Sequence, residues 1–300
     1  MIVLAKQVPD TKAITGKAMN RDGTVNRAAL PMVFNPDDLH ALEEALRLKE
    51  RVGGTVTVLT MGLPKACDVL REALYLGADH AVLLTDRRAA ASDTLATSYI
   101  LSCAARFLGP FDVVFCGRQA IDGDTAQVGP QTAEKLGLTQ ITYVQRIEDV
   151  AGAQIVCRRI TDEGYEIVAA KLPVLLTVTD TANEVRSPCA KRMMAFKKAR
   201  APVEIEAELK SAAGEGAPPP EAALLESRRE KLASRGLLIR QINLADIGAD
   251  LSMCGRDGSP TKVKRIQSII LTASGSKKFD PTPEGVQTLI HELVEDYAIG

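Results

Sequence analysis

Short apolar runs alternate with stretches of helical periodicity up to residue 180. Uncharged runs rich in β-branched residues, such as FDVVFCG at 111–117, are typical of strands buried on both faces of a parallel sheet. Elsewhere apolar residues recur three and four positions apart, as in Leu39, Leu42 and Leu46. The predicted strands lie at 1–9, 55–62, 80–85, 111–117 and 172–180, and the predicted helices at 39–52, 64–76 and 93–108.

This order of elements predicts an α/β fold with a doubly wound, mostly parallel sheet. Three later segments alternate apolar and polar residues and are separated by turn residues, which indicates an antiparallel meander at the edge of the sheet. These segments are 139–150, 153–160 and 165–170. The run at 172–180 is then expected to complete a nucleotide-binding domain of residues 1–182, with a polar, turn-rich excursion at 11–34.

The chain changes character in residues 183–210, where six cations occur between Val185 and Ala201 without an acid. A solvated basic helix would explain the charge alone. The flexible apolar side chains among the cations favour a surface for a partner protein. These side chains belong to Met193, Met194 and Phe196.

Residues 211–300 are predicted to form a linker and a carboxyl-terminal arm. Small residues and prolines dominate 211–221, which is typical of a linker. A helix is predicted at 222–233, a strand at 263–272 and a helix at 282–297. Because only the linker is expected to hold this arm to the first domain, the apolar face of the last helix needs another subunit to cover it.

Composition narrows the class of protein further. The 300 residues are 46% hydrophobic, which is enough for a substantial core, and 37 basic residues nearly balance 38 acidic ones, so no general attraction to nucleic acid or anionic membranes is expected. Six scattered cysteines without a C-x-x-C motif indicate reduced thiols rather than a zinc or iron–sulfur site. The apolar run at 2–5 is too short for a signal peptide or membrane span, which favours a cytoplasmic protein.

The segment after the run at 111–117 is the main candidate for chemistry. It contains Gly123 and Gly129 and small residues between them, so backbone amides are left open to a phosphate. The following helix starts either at Asp124, with Gln127 completing a capping box, or at Pro130. Either start would direct the positive end of a helix dipole at the loop. An ordinary glycine-rich turn would explain the glycines alone equally well.

The charged residues of this loop are expected to divide their roles. Asp122 and Asp124 would repel a phosphate, so we expect them to accept hydrogen bonds from backbone amides or sugar hydroxyls. Arg118 and the amides would meet the negative charge. No serine, cysteine or histidine constellation indicates nucleophilic catalysis, so any chemistry is expected to belong to a cofactor.

The loop sequence RQAIDGDTAQVGP, at 118–130, resembles the nucleotide-binding loop of electron transfer flavoprotein β subunits. Housekeeping members of that family have a loop similar to KQAIDDDxNQTG, whereas Gly123 here replaces the second acid. This form resembles the electron-bifurcating branch, in which the β subunit holds FAD where the housekeeping branch holds AMP. The resemblance implies a Rossmann-like fold of the adenine nucleotide α-hydrolase type with an extended carboxyl-terminal arm.

The resemblance also implies the site residues. Positions matching contacts to the adenine nucleotide are Ala5, Asn35, Asp38, Met61, Arg118, Gln119, Ala120, Ile121, Asp122, Gly123, Asp124, Thr125, Ala126, Gln127, Val128, Gly129 and Thr132. Positions matching the partner-recognition loop are Ala190, Met193, Met194 and Phe196. Because Ala190 stands where familiar members have a bulky apolar anchor, docking on the same acyl-CoA dehydrogenases in the same way is not expected.

The function implied by the resemblance is electron transfer within a heterodimer with an α subunit. FAD in this chain would accept hydride from NADH, a transient substrate. One electron would pass to a flavin of the α subunit and on to an FAD-dependent dehydrogenase, and the other to a low-potential acceptor such as ferredoxin or flavodoxin. Two alternatives stay open: a non-bifurcating β subunit with structural AMP, and an ATP-binding stress-type α/β protein that acts without an α subunit.

Overall fold

A nine-stranded sheet forms the centre of the computed structural model, which describes residues 1–10, 30–213, 220–262 and 277–295. Its strands are β1 Ile2–Ala5, β4 Thr57–Met61, β5 His80–Leu84, β6 Val113–Gly117, β7 Thr139–Ala151, β8 Gln154–Thr161, β9 Gly164–Lys171, β10 Val174–Val178 and β11 Arg240–Ile242. A separate antiparallel pair contains β2 Gln7–Pro9 and β3 Met32–Phe34. The described helices are α1 Pro36–Val52, α2 Cys67–Leu76, α3 Thr94–Leu108, α4 Val128–Leu136, α5 Ala190–Phe196, α6 Pro202–Ala213, α7 Ala222–Ala233 and α8 Pro283–Glu295.

The strand order is β11-β5-β4-β1-β6-β10-β7-β8-β9. The pairs from β11 to β7 are parallel, whereas β7, β8 and β9 form the predicted antiparallel meander at one edge. Apolar residues of α1 and α2 pack against one face of the sheet, and those of α3 and α4 against the other. The predicted doubly wound α/β fold is therefore confirmed.

Local signals explain where the helices begin and end. Pro36 occupies the first turn of α1, where its missing N–H costs nothing. Asp93 caps α3, since its carboxylate accepts from the Ala96 amide at 3.0 Å. Gly137 ends α4 in the left-handed conformation, with φ of 69°.

Two predictions near the amino terminus were wrong in detail. The first strand does not run unbroken to Pro9, because the backbone groups of Lys6 form hydrogen bonds to Asn35 and Asp38 at the start of α1 and not to a neighbouring strand. The chain then continues as β2, which pairs with β3. The predicted polar excursion at 11–34 ends in this β3 strand, and Leu30 and Phe34 are buried. Residues 11–29 lie outside the described part of the chain.

The carboxyl-terminal arm also differs from the prediction. Strand β11 extends the sheet beside β5, so the run at 172–180 does not complete it. Leu244 and Cys254 lie in the core around α3, which means that more than a linker holds the arm to the first domain. These contacts escaped prediction because a three-residue edge strand has too few positions to show a period.

The remaining predictions for the arm have mixed outcomes. The predicted helix at 222–233 is confirmed, and the last helix occupies Pro283–Glu295 within its predicted bounds. Helix α6 extends into the predicted linker as far as Ala213. The strand predicted at 263–272 lies outside the described residues. Within the described ranges, no helix is both long and apolar enough to cross a bilayer.

Candidate functional site

The strand order reverses between β1 and β6. From β1 the sheet continues through β4 and β5 in one direction, and through β6 and β10 in the other. In an open α/β sheet, a crevice forms at such a point beyond the carboxyl ends of the strands. Here those ends are Ala5 and Gly117, and the loop that leads from β6 to α4 follows directly.

Helix α1 joins these two strand ends through its first turn. The Asp38 carboxylate accepts from the Lys6 amide at 2.9 Å with one oxygen and from the Gly117 amide at 2.9 Å with the other. The Lys6 carbonyl in turn accepts from the Asn35 amide at 2.9 Å. Burial raises the pKa of Asp38 to about 7, although these amides favour its charged form. Asp38 therefore fixes the width of the crevice.

Asn35 holds the loop after β6 in the same way. This fully buried side chain donates to the Gln119 carbonyl at 2.8 Å and accepts from the Ile121 amide at 3.1 Å. Asn35 stands at the N-cap position of α1, but its side chain makes no capping bond to that helix. Its polar atoms are thus committed to positioning the loop.

The second half of the loop leaves a row of backbone N–H groups without partners. No residue in the described part of the chain accepts a hydrogen bond from the five consecutive amides of residues 125–129. Ala126 has a positive φ of 52° and Gln127 is right-handed, an alternation that turns successive N–H groups toward one concavity. Because α4 begins at Val128, its dipole adds positive potential there, so the loop is suited to an anion.

Both predicted starts for α4 were wrong. The helix begins at Val128 with Gln127 at the N-cap, and Pro130 is its third residue. The first four N–H groups of a helix have no acceptor within it, so a proline at this position removes no hydrogen bond. Asp124 lies outside the helix with a positive φ of 49°.

The carboxylates of the two acids in the loop accept from side chains, whereas we expected backbone amides or sugar hydroxyls as their donors. Lys6 Nζ lies 2.6 and 2.8 Å from the two carboxylate oxygens of Asp122. The Asp124 carboxylate accepts from Gln119 Nε2 at 3.0 Å. The Lys6 cation therefore offsets one negative charge in the loop that carries the open amides. The sequence around Lys6 is that of a strand and gave no sign of this ion pair.

Arg118 lies against an acid that sequence analysis did not select. Its Nε is 3.5 Å from Asp37 Oδ2 and, although buried, has no hydrogen-bond partner among the described residues. Burial raises the pKa of Asp37, and the Arg118 cation opposes that rise. Asp37 also accepts from the Gln119 amide at 3.3 Å. The sequence signal for Asp37 was its place beside Asp38 in the first turn of α1.

Three glycines of this region differ in what a side chain would meet. A Cβ at Gly117 would lie 2.5 Å from the Asp37 backbone, and one at Gly129 would lie 2.7 Å from Cys116 Sγ. Both glycines are thus required by close packing of helix against strand. A Cβ at Gly123 would meet nothing within 4 Å, and Gly123 has no positive φ. Among the described glycines, Gly123 alone is required neither by close packing nor by a positive φ.

The other predicted nucleotide contacts divide into residues whose polar side chains are occupied within the described chain and the exposed Thr125, whose hydroxyl has no described partner. Ala5 and Met61 end β1 and β4, and Met61 packs partly on the core. Gln127 Oε1 accepts from Thr94 Oγ1 at 3.0 Å. The Thr132 hydroxyl is buried and donates to the Val128 carbonyl at 2.7 Å, within α4. Ala120 accepts from the Gly123 and Asp124 amides through its carbonyl and so closes the turn.

The predicted partner-binding residues lie on or beside the short helix α5. Met193 and Met194 are 40% and 66% exposed, and Ala190 is also exposed. Phe196 instead packs partly against the core, with the Arg192 guanidinium 5.3 Å from its ring centroid. The large exposed apolar side chains of this segment are therefore the two methionines.

Comparison with known proteins places these features in a family. The electron transfer flavoprotein domain matches residues 22–209. The chain is 38% identical over 299 residues to an electron transfer flavoprotein subunit beta of Clostridium acetobutylicum, with 100% of this chain and 99% of that one covered.

Two further relatives match part of the chain at higher identity. An electron transfer flavoprotein subunit beta of Thermoanaerobacterium thermosaccharolyticum is 50% identical over 191 residues, covering 64% of this chain and 72% of that one. An acryloyl-CoA reductase electron transfer subunit gamma of Anaerotignum propionicum is 50% identical over 188 residues, covering 61% and 69%. The crevice, the loop and these alignments agree, and the chain belongs to the electron transfer flavoprotein family, as a β subunit.

Proposed function

We propose that this β subunit holds FAD, with the diphosphate of the cofactor on the open amides of residues 125–129. The observation that carries the proposal is the row of five consecutive N–H groups without a described acceptor, at the amino-terminal end of α4. Backbone amides and a helix dipole bind phosphate without a dedicated cation. Arg118, at the start of the same loop, adds a cation whose Nε is buried without a hydrogen-bond partner in the described residues.

Two features favour a dinucleotide over AMP. A diphosphate has more acceptor oxygens than a single phosphate and can use a longer row of donors. The open position at Gly123, which neither packing nor φ explains within this chain, leaves room for a group that extends past the first phosphate. The residues present therefore fit the larger cofactor.

When bound, FAD would accept a hydride from NADH. It would then pass single electrons to a flavin of the α subunit and to ferredoxin or flavodoxin. The chain itself would orient the cofactor and set its electrostatic surroundings. Asn35 and Asp38 would keep the loop and the two strand ends in fixed relation. The Lys6–Asp122 ion pair would keep an uncompensated carboxylate away from the diphosphate.

Two surfaces are proposed for protein partners. Helix α8 exposes Val286 and Ile290, each 49% exposed, on one face, and an α subunit is proposed to cover it. The exposed Met193 and Met194 of α5 are proposed to contact an FAD-dependent dehydrogenase.

Nucleotide counting on the purified heterodimer tests the proposal. The complex is co-expressed with its α subunit, denatured, and its released FAD and AMP are quantified by chromatography. We expect two flavins per heterodimer and no AMP, and anaerobic titration with NADH is expected to bleach the flavin spectrum. One flavin together with one AMP would replace the proposal with the structural-AMP alternative. Absence of any adenylate would remove the phosphate-binding role of residues 125–129.

A further inference from the structure

A second concentration of positive charge lies away from the nucleotide loop, between the segment after α5 and the end of α7. A cavity of about 370 Å³ is lined there by five cations, one acid and two leucines. These residues are Lys198, Arg200, Arg228, Lys231, Arg235, Glu208, Leu232 and Leu237. We refer to this cavity as the cationic pocket. Its local excess of cations contrasts with the net charge of -1 for the whole chain.

Most of the cations in the pocket are not used to hold the fold. Arg200 pairs with Glu208 at 2.6 Å and donates to the Ala199 carbonyl at 2.9 Å, so it has a structural role. In the described residues, Lys198, Arg228, Lys231 and Arg235 have neither an ion pair nor a side-chain hydrogen bond, and all four are exposed. Like charges brought together without counter-charges repel one another, so the chain alone gains nothing from this arrangement.

The pocket is built on a fixed base. Arg228 and Lys231 lie one turn apart on α7, and Leu237 is buried just beyond that helix. The Arg200–Leu238 bridge ties both walls together, with the Arg200 amide donating to the Leu237 carbonyl at 3.0 Å. The charged heads are therefore presented by an ordered backbone.

The pocket wall begins at Lys198, two residues after the end of α5, which carries the exposed methionines. Lys197 Nζ lies 3.4 Å from Met194 Sδ, and Lys198 follows in the pocket wall. Cations beside exposed apolar side chains suit a protein surface that presents carboxylates around an apolar contact. The high exposure of the four cations favours such a broad surface over a small enclosed anion.

We propose that the cationic pocket docks a carboxylate-rich surface of a protein that exchanges electrons with this subunit. This proposal rests on the proposed function for the existence of such a partner, but the recognition itself depends only on charge. Steering by a cationic surface raises the association rate of an acidic partner and makes the rate depend on salt.

The test uses the purified heterodimer and a fluorescein-labelled decaglutamate peptide as probe, with binding followed by fluorescence anisotropy. The test variant carries Arg228→Glu and Lys231→Glu, and the matched control carries Lys171→Glu and Arg256→Glu. All four positions are exposed and free of ion pairs in the described residues, and both variants change the net charge equally. Arg200 is left intact because it pairs with Glu208.

We expect the peptide to bind the wild type and the control, to bind the test variant at least about tenfold more weakly, and to lose affinity as salt is added. A second variant, Lys198→Glu with Arg235→Glu, should repeat the loss if the first one unfolds. Equal binding by the test variant and control would overturn the proposal. Displacement of the peptide by inorganic triphosphate at far lower concentration than by free decaglutamate would also overturn it, in favour of a small-anion site.

The same samples keep this proposal separate from the proposed function. Flavin and AMP content is measured on each heterodimer, and neither quantity depends on the cationic pocket. A heterodimer that carries AMP but loses peptide binding with the test variant would support the pocket and contradict the FAD proposal. A heterodimer that carries two flavins but binds the peptide equally in all variants would do the opposite.

Discussion

The Asp38 carboxylate accepts a hydrogen bond from the Gly117 amide at 2.9 Å, across 79 residues of sequence. Its second oxygen accepts from the Lys6 amide at the same distance of 2.9 Å. One side chain therefore satisfies backbone groups at the ends of both strands that flank the crevice. A buried amide without an acceptor is costly, so this carboxylate contributes to the fold and to the shape of the site together.

Replacement of Asp38 by alanine should lower the free energy of unfolding by about 2–5 kcal/mol, because two amides lose their acceptor and a small cavity remains. Urea denaturation followed by circular dichroism measures the change. The exposed Asp149 makes no ion pair in the described residues, and Asp149→Ala is expected to stay within about 0.5 kcal/mol of the wild type. Equal midpoints for the two variants would contradict the bridging role of Asp38.

Asp38 should also give stability a distinct pH dependence. Burial raises its pKa to about 7, above the unfolded value of about 3.9. The folded state then holds a proton that the unfolded state has lost, so its contribution to stability is complete below about pH 4 and is lost as the pH rises through about 7. Asp37 and Cys116 are the titratable groups that interact with it, and its contact with Lys6 is to the backbone amide.

Asp38→Asn keeps the shape of the side chain and removes its titration. We expect the stability of the wild type relative to Asp38→Asn to fall between about pH 4 and pH 7, as measured by urea denaturation at a series of pH values. The Asp149→Asn variant should retain the wild-type slope. A wild type and an Asp38→Asn variant with parallel pH profiles would show that Asp38 stays ionised in the fold.

Gly123 and Gly129 should respond in opposite ways to the same substitution. Gly123→Ala adds a methyl group to open space and should change the free energy of unfolding by less than about 0.5 kcal/mol. If FAD lies against this position, its dissociation constant should rise about tenfold, or about 1.4 kcal/mol. Gly129→Ala places a Cβ 2.7 Å from Cys116 Sγ and should destabilise the fold by about 1–3 kcal/mol.

Equilibrium dialysis with FAD and urea denaturation of both variants separate these two effects. Unchanged FAD affinity in Gly123→Ala would mean that the cofactor does not approach this glycine. A loss of stability in Gly123→Ala comparable to that of Gly129→Ala would mean that the loop packs more closely than the structure shows.

The strands and helices of the first domain could be predicted because they depend on local patterns. A buried strand such as Val113–Gly117 requires apolar residues on both faces, and a helix such as Thr94–Leu108 requires its apolar stripe and its cap at Asp93. The loop after β6 was also selected from sequence, since small residues before a helix leave backbone amides open to an anion.

The bonds that hold the loop could not be predicted in the same way. Asn35 reaches Ile121 across 86 residues, and no periodicity within either segment encodes that distance. An asparagine just before a helix is equally compatible with an ordinary helix cap. Only the packing of α1 against the ends of β1 and β6 decides between capping the helix and holding the loop. The pairing of Lys6 with Asp122 depends on the same packing.

The carboxyl-terminal arm should prove to be part of the main fold and not an appendage. Leu244 is fully buried in the core around α3, next to the edge strand β11. Leu244→Ala should therefore destabilise the whole domain by about 2–5 kcal/mol, whereas Leu224→Ala, at a side chain that is 52% exposed on α7, should have an effect below about 0.5 kcal/mol. Urea denaturation monitored by circular dichroism gives both values. If Leu244→Ala instead left the domain at full stability and only made the arm more sensitive to protease, the arm would unfold independently, and strand β11 would contribute little to the sheet.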